Sequence, residues 1–200
     1  MVRLLMSVGL LVTLAWSQPL LALEFSKKGD TVIVSGSVRG GDDAQFRDFM
    51  AEPGNATIKI VRLNSTGGMV IAARDMGRII RAKNMITFVD GKSDNCASAC
   101  TVIFASGVKR HYANAQGIKD GVYGFKDNPV GLGYHEGNQP LSLSSNKYSG
   151  QATADMIAAY YEFGVKDAKD VITLAPPNKL YRISAQTAAN LGIATSLSAP

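Results

Sequence analysis

Cysteine and histidine are scarce in this sequence, whose 200 residues include two of each. The two cysteines have no histidine or carboxylate at a spacing that would complete a tetrahedral shell, so no metal site is expected. The sequence also lacks a Gly-x-x-x-x-Gly-Lys-Ser/Thr motif, the phosphate-binding loop of many ATPases. We therefore expect no metal, no other cofactor and no intrinsic ATPase activity.

Basic residues outnumber acidic residues only slightly, 21 to 16, which gives a net charge of +5. They are scattered along the chain and do not form a stripe with interleaved aromatic residues, so we expect no binding to nucleic acid. Internal repeats and low-complexity tracts are absent as well. A chain of this length suits one domain with a substantial core.

The first 22 residues have the pattern of an export signal. Arg3 precedes an apolar run from Leu4 to Trp16, and small and apolar residues lead to Ala22. A membrane anchor would need about 20 apolar residues, more than this run supplies. We expect a signal peptide over 1–22, cleavage near Ala22, a single domain over 23–200, and a periplasmic or secreted protein.

Strand and helix patterns alternate through the rest of the chain, and this alternation predicts a mainly parallel sheet with helices packed on its faces. The segment 127–150 is rich in Gly, Asn and Ser, so a long surface excursion is expected there. The predicted strands are 31–38, 57–63, 86–89, 110–113, 121–125 and 180–184, and the predicted helices are 44–50, 69–83, 97–106, 151–163 and 185–191.

Two short segments contain residue types that are found at the reaction centres of enzymes. Asn64-Ser65-Thr66-Gly67-Gly68 lies at a strand-to-helix turn, where glycines allow consecutive backbone N–H groups to face one point and hold an oxyanion. Ser98 lies at a predicted helix start between two alanines, which leave its hydroxyl accessible. Taken separately, the first segment is more typical of a tight turn and the second of a helix cap.

The two cysteines, Cys96 and Cys100, flank Ser98 four residues apart. This spacing brings their α-carbons to about 6 Å in a helical or irregular segment, within bridging distance. An exported chain is exposed to oxidising conditions, so we favour a disulfide that braces the serine loop. The alternative is that both are small buried residues, since helical bridges at this spacing are strained.

Together with Ala105-Ser106-Gly107-Val108-Lys109-Arg110, these segments resemble the proteolytic subunit of the Clp protease and its exported relatives. That family has an Asn-Ser-Pro-Gly-Gly turn, a nucleophilic serine about 30 residues later and an Ala-Gly-x-x-x-Arg-like segment after it. The resemblance covers residues 30–126, and the segment from Ser184 to Ile193 resembles the family's closing helix. It implies an α/β fold of the ClpP/crotonase-like type, built from spiral β-β-α units.

The resemblance also implies roles for individual residues. Ser98 matches the nucleophile, the N–H groups of Gly68 and Ala99 match the oxyanion hole, and Gly67 shapes its loop. Thr66 replaces the family's proline, a mild departure. Pro176, Pro177, Asn178 and Lys179 occupy the window where the family has an acid that orients the base, and none of them is a carboxylate.

The larger departure concerns the base. The family places a Gly-Phe-His-like sequence about 27 residues after the serine, and Gly124-Phe125-Lys126 matches that position here. Lys126 is therefore our candidate base, which requires burial to lower the pKa of its amine by about three units. His111 and His135 lie away from the family position, and we interpret both as structural histidines.

Three functions remain open at this stage. The first is a serine hydrolase or peptidase that acts through Ser98 with altered machinery, and the second is an inactive relative that binds a peptide or acyl group or serves as a scaffold. The third, acyl-thioester chemistry of the crotonase type, is disfavoured because coenzyme A is intracellular. The resemblance further implies a peptide or acyl substrate and self-association into a homo-oligomer.

Overall fold

A computed structural model describes residues 23–127, 130–142 and 145–200. The expected signal peptide, 1–22, lies outside the described residues. No helix in the described part of the chain is both long enough and apolar enough to cross a bilayer.

Eleven strands and six α-helices make up the described chain. The strands are β1 (Glu24–Lys28), β2 (Thr31–Val38), β3 (Ile60–Gly68), β4 (Ile86–Asp90), β5 (Asn95–Ala97), β6 (Lys109–Ala113), β7 (Gly121–Tyr123), β8 (Gly131–Tyr134), β9 (Asn138–Ser142), β10 (Ser145–Tyr148) and β11 (Leu180–Arg182). The helices are α1 (Asp42–Ala51), α2 (Val70–Ala82), α3 (Ala99–Ala105), α4 (Gly150–Glu162), α5 (Lys169–Ile172) and α6 (Ala185–Asn190), with single 3-10 turns at Pro53–Asn55 and Lys166–Ala168.

The main sheet runs in the order β1-β2-β3-β5-β8-β11-β7. Pairing is parallel from β2 through β3 and β5 to β8, and antiparallel at both edges, where β1 joins β2 and β11 joins β8 and β7. The first residues of β3 also pair with β4, which pairs with β6, and both pairings are parallel. The prediction of a mainly parallel α/β sheet is confirmed.

Burial follows the expected periodicities. Val32 and Val34 on β2 are fully buried, as the alternation of its sequence predicts, and α2 buries the face that carries Met76 and Ile80. Every residue of α3 is buried, so this short helix runs through the centre of the core. The start of α3 is therefore held by packing around most of its circumference.

Arg110, in the third segment of the resemblance, has a structural role. Its guanidinium is almost fully buried and donates hydrogen bonds to the carbonyls of Gly107, Gly192 and Ile193. It thereby holds the residues that follow α6 against the start of β6. Burial lowers the pKa of this guanidinium.

Two predictions about the chain between 121 and 150 are wrong. Gly121–Tyr123 forms β7 at the edge of the sheet, where Val122 is 48% exposed, and is not a core strand. The predicted surface excursion contains β8, a fully buried strand between β5 and β11, followed by the β9–β10 hairpin. The short strands β1 and β5 were not predicted either, and α3 begins at Ala99 because the residues before it form β5.

Candidate functional site

The glycine turn and the serine loop are in direct contact. A side chain on Gly67 would place its Cβ 2.4 Å from the Ala97 carbonyl oxygen, 2.7 Å from Ser98 Cβ and 2.9 Å from the Ala99 nitrogen. Gly67 also has a φ of 89°, a conformation that favours glycine. This position therefore needs glycine for two independent reasons, and the turn borders the serine and the first amide of α3.

Ser98 has an unusual backbone conformation for a residue with a side chain. Its φ is 54° and its ψ is −129°, which costs about 1–3 kcal/mol. The surrounding contacts maintain this conformation, because Thr101 donates to the Ser98 carbonyl from both its amide, at 2.8 Å, and its hydroxyl, at 2.6 Å. Thr101 Oγ1 is in turn 2.6 Å from the buried Tyr160 hydroxyl of α4. Strained residues of this kind cluster at functional sites.

The Ser98 hydroxyl is available for chemistry. The residue is half-buried, and its side chain does not cap α3 although it occupies the N-cap position. Within 23–127, 130–142 and 145–200, no group hydrogen-bonds to Ser98 Oγ, and the amide of Ala99 has no acceptor. A free hydroxyl beside a free amide is the arrangement that acyl transfer requires.

Side-chain contacts from β3 hold the glycine turn. Ser65 Oγ accepts a hydrogen bond from the Gly67 amide at 3.1 Å, and Thr66 Oγ1 lies 3.0 Å from Ser37 Oγ on β2. The threonine that replaces the family's proline thus ties the turn to the next strand. Gly68 backs onto β2, where a Cβ would stand 2.1 Å from the Val38 oxygen.

The predicted disulfide is present. Cys96 and Cys100 are bonded, with their α-carbons 5.2 Å apart and both residues fully buried. Because Cys96 belongs to β5 and Cys100 to α3, the bond joins the strand to the helix across Ser98. It limits how far the loop that carries the serine can open.

The register between β5 and β8 determines what lies beside the serine. Ala97 pairs with Gly133, and the Ser98 amide donates a 2.8 Å hydrogen bond to the Gly133 carbonyl. His135 follows Gly133 by two residues, just beyond the end of β8. In this register Ser98 lies opposite Tyr134, and His135 is the next residue along the neighbouring strand direction.

His135 is buried and neutral. It is 2% exposed, and its Nδ1 lies 2.5 Å from the Glu136 carbonyl oxygen. A carbonyl only accepts hydrogen bonds, so Nδ1 carries the hydrogen and Nε2 is left as an acceptor. Burial lowers the pKa of His135, and the hydrogen bond to Glu136 offsets part of that effect. A neutral imidazole with a free Nε2 is the form that a general base needs.

The structure places Lys126, our candidate base, away from the strand that neighbours the serine loop. Lys126 lies on an exposed turn after the edge strand β7, not at the end of the strand beside β5. The residue in that place is His135, nine positions further along, within Gly133-Tyr134-His135. This tripeptide has the small–aromatic–histidine pattern of the family, a signal that our sequence interpretation did not use.

The other histidine lies elsewhere. His111 is on β6, and its Nδ1 lies 2.8 Å from the Ser198 carbonyl oxygen near the end of the chain. β6 pairs with β4 and does not touch β5 or β8 through backbone pairing. The contacts of His111 are structural, and it contributes nothing to the serine loop.

Arg182 ties together the strands behind the site. Its guanidinium is fully buried and donates to the Gly131 carbonyl at 2.7 Å and to Asn95 Oδ1 at 2.9 Å. Burial lowers the pKa of Arg182 to about 10. β11, β8 and β5 are linked by this one side chain, which supports the register between β5 and β8.

A groove of about 480 Å³ opens beside the glycine turn. Its walls are mostly apolar, and it lies between the start of α2, the start of α4 and the start of β9. The lining residues are Val38, Gly68, Met69, Val70, Ile71, Asn138, Gln139, Ser149, Gln151, Ala152 and Asp155. Gly68 belongs to both the turn and the groove, whereas Ser98 and His135 are not among the lining residues. No cluster of three potential metal ligands occurs in the described segments.

Comparisons with known proteins show the fold. No protein-family model and no curated protein sequence matches the chain. A solved structure of a membrane-bound stomatin-specific protease, in a serine-to-alanine variant, aligns with a TM-score of 0.58 and 13% identity over 83% of this chain and 77% of that one. A lysine-to-alanine variant of that protease, in complex with a substrate peptide, gives a TM-score of 0.57 at 13% identity over 83% and 73%.

The catalytic domain of the ClpP protease from Plasmodium falciparum aligns with a TM-score of 0.50 and 14% identity, over 83% of this chain and 82% of that one. Identities this low establish the architecture alone. The chain has the ClpP/crotonase-like α/β fold, as the sequence motifs implied.

Proposed function

We propose that this protein is an exported serine hydrolase of the peptidase type, with Ser98 as nucleophile and His135 as general base. One observation carries the proposal: Ser98, whose backbone is strained and whose hydroxyl makes no hydrogen bond among the described residues, packs against Gly67 on one side. On the other side its amide hydrogen-bonds to β8, the strand that His135 follows. A nucleophile, a base and an amide that can stabilise an oxyanion therefore share one corner of the fold.

The steps of the reaction follow from these positions. His135 Nε2 accepts the proton of the Ser98 hydroxyl while Oγ attacks the carbonyl carbon of the substrate. The amides of Ala99 and Gly68 donate to the oxygen that becomes negatively charged. The proton then passes from His135 to the leaving amine, and water hydrolyses the acyl-enzyme by the same route in reverse.

The groove favours an extended peptide as substrate. The start of β9 forms one wall and the residues that follow β3 form the opposite wall, so a peptide between them has backbone groups within reach on both sides. Met69 and Ile71, both about half exposed, provide apolar contact for its side chains. The substrate peptide in the complex of the stomatin-specific protease supports this choice of substrate class.

Export and self-association are part of the proposal. A disulfide persists in oxidising compartments, so the bond between Cys96 and Cys100 supports a periplasmic or secreted location for the chain after residue 22. We propose that residues 23–200 act as one domain, and that copies of it associate.

The second candidate function is binding without catalysis. It is favoured by the exposed position of Lys126 and by the lack, among the described residues, of a carboxylate bonded to His135. Such a protein would hold a peptide in the same groove without cleaving it.

A fluorophosphonate probe separates these functions, because it reacts with activated serines. We expect the wild-type protein to be labelled, with the adduct mapped to Ser98 by peptide mass analysis, and the Ser98→Ala protein to remain unlabelled. An unlabelled wild-type protein that still binds peptides would establish the binding function and contradict the hydrolase.

A further inference from the structure

Phe125 contacts His135 with an aromatic ring that is itself only partly covered. It lies on the turn after β7, and its ring is 44% exposed although it is large and apolar. The covered part of the ring packs edge-on against His135, with ring centroids 5.9 Å apart and planes at 82°. His135 itself is 2% exposed. The exposed aromatic ring therefore helps to cover the imidazole.

Two hydrogen bonds fix the conformation of the turn that carries Phe125. The Gly124 amide donates to Asp127 Oδ2 at 2.9 Å, and the Asp127 amide donates to the Gly124 carbonyl at 3.1 Å. A Cβ on Gly124 would stand 2.6 Å from Asp127 Oδ2, so a side chain there would displace the Asp127 carboxylate. A closed turn of this kind holds Phe125 in place above the histidine.

Among the described residues, no charged side chain orients the His135 imidazole. The charged residues on the segments that neighbour His135 are Lys126 and Asp127 on the turn, Glu136 next in the chain, and Lys179 and Arg182 on the segment paired with β8. Within the described segments, none of their side chains hydrogen-bonds to the imidazole. In the part of the chain that the structure describes, the imidazole's one hydrogen bond is to the backbone carbonyl of Glu136.

We propose that Phe125 is a positioning residue, which together with the Glu136 carbonyl holds the His135 imidazole in the orientation that a carboxylate provides in related hydrolases. The proposal rests on the role of His135 in the proposed function. The carbonyl selects the tautomer, with hydrogen on Nδ1. The edge of the Phe125 ring restricts rotation of the imidazole and keeps water away from it, so that Nε2 remains directed at Ser98.

Replacing the ring tests this arrangement. We expect Phe125→Leu to lower the maximal rate of fluorophosphonate labelling roughly tenfold while the probe concentration for half-maximal rate stays the same, because the base is misplaced and the groove is not. Phe125→Tyr keeps the ring and should restore the rate. Tyr161→Leu removes another exposed aromatic residue, on α4, and serves as the matched control with an unchanged rate.

The pH dependence of labelling separates a change in the pKa of His135 from a loss of packing. Loss of packing alone would leave this pH dependence unchanged. Burial lowers the pKa of His135, and the neutral form is the base, so labelling rises as pH passes upward through that pKa. Phe125→Leu admits water and raises the pKa towards its ordinary value of about 6.5. The acid limb of the labelling profile should therefore shift to higher pH in Phe125→Leu and not in Tyr161→Leu.

Direct titration of the imidazole keeps this proposal separate from the hydrolase assignment. The chain has two histidines, so NMR of tag-free Ser98→Ala protein, with a His111→Gln variant for assignment, reports His135 without any catalysis. A raised His135 pKa in Phe125→Leu, together with slower labelling, supports the proposal. An identical His135 titration with and without Phe125 overturns it, whereas an unlabelled wild-type protein contradicts the hydrolase assignment itself.

Discussion

The Ser98 amide donates a 2.8 Å hydrogen bond to the Gly133 carbonyl, and this contact ties the serine loop to the strand that His135 follows. It aligns β5 with β8, and two residues after Gly133 the chain presents His135. On the other side, Gly67 contacts Ser98 through the space where a Cβ would be. The serine loop is thus held between the glycine turn and β8, the strand that His135 follows.

The glycine turn should tolerate no side chain at Gly67. Gly67→Ala places a methyl group against Ala97, Ser98 and Ala99 at a positive φ, so we expect a loss of about 3 kcal/mol in unfolding free energy and no probe labelling. Urea unfolding and labelling measure the two effects.

Gly29→Ala is the matched control. Gly29 also has a positive φ, 65°, but has nothing within 4 Å of a Cβ, so it isolates the backbone cost, about 1 kcal/mol, and should leave labelling intact. Equal effects of the two substitutions would show that the contact with Ser98 is unimportant.

The disulfide should matter to both stability and reactivity. A bond that closes so short a loop contributes about 2 kcal/mol, so the double variant Cys96→Ala, Cys100→Ala should be less stable by that amount. Since the bond joins β5 to α3 across Ser98, labelling should also be slower.

Reductant provides the control for the disulfide. It should slow labelling of the wild-type protein if it reaches the buried bond under mild denaturation, and it should have no effect on the double variant. A double variant with wild-type stability and labelling rate would refute the bracing role.

Export should remove the first 22 residues. We expect N-terminal sequencing of protein recovered from the periplasm or medium of a bacterial host to begin at Leu23. Leu10→Arg interrupts the apolar run and should keep the uncleaved chain inside the cell. Recovery of the full-length chain outside the cytoplasm would contradict cleavage near Ala22.

The sequence predicted those elements in which the local residue pattern and the tertiary packing favour the same structure. The bounds of β2 match the prediction, and α2 lies within one residue of the predicted helix at each end, because alternating and helical periodicities are strong in those segments. The contact between the glycine turn and Ser98 was likewise implied by motif order and spacing. The disulfide followed from the cysteine spacing.

The sequence did not predict β8, because tertiary contacts, and not strand propensity, select the residues of that strand. Gly131 and Gly133 weaken its strand pattern, yet a Cβ on Gly131 would stand 2.4 Å from the Tyr112 hydroxyl, and one on Gly133 would stand 2.7 Å from the Arg182 guanidinium. Such contacts are made by residues far away in the sequence, so the local residue pattern of β8 does not reveal them. With β8 unrecognised, Gly124-Phe125-Lys126 was the nearest match to the motif, and Gly133-Tyr134-His135 was not considered.

The identity of the base is the most direct test of this account. The measurement is the second-order rate constant for fluorophosphonate labelling of Ser98 in the wild-type, His135→Gln and Lys126→Met proteins. The account predicts that His135→Gln lowers the rate at least about 100-fold and that Lys126→Met changes it by less than about twofold. A slow Lys126→Met protein beside a His135→Gln protein that labels at the wild-type rate would contradict it.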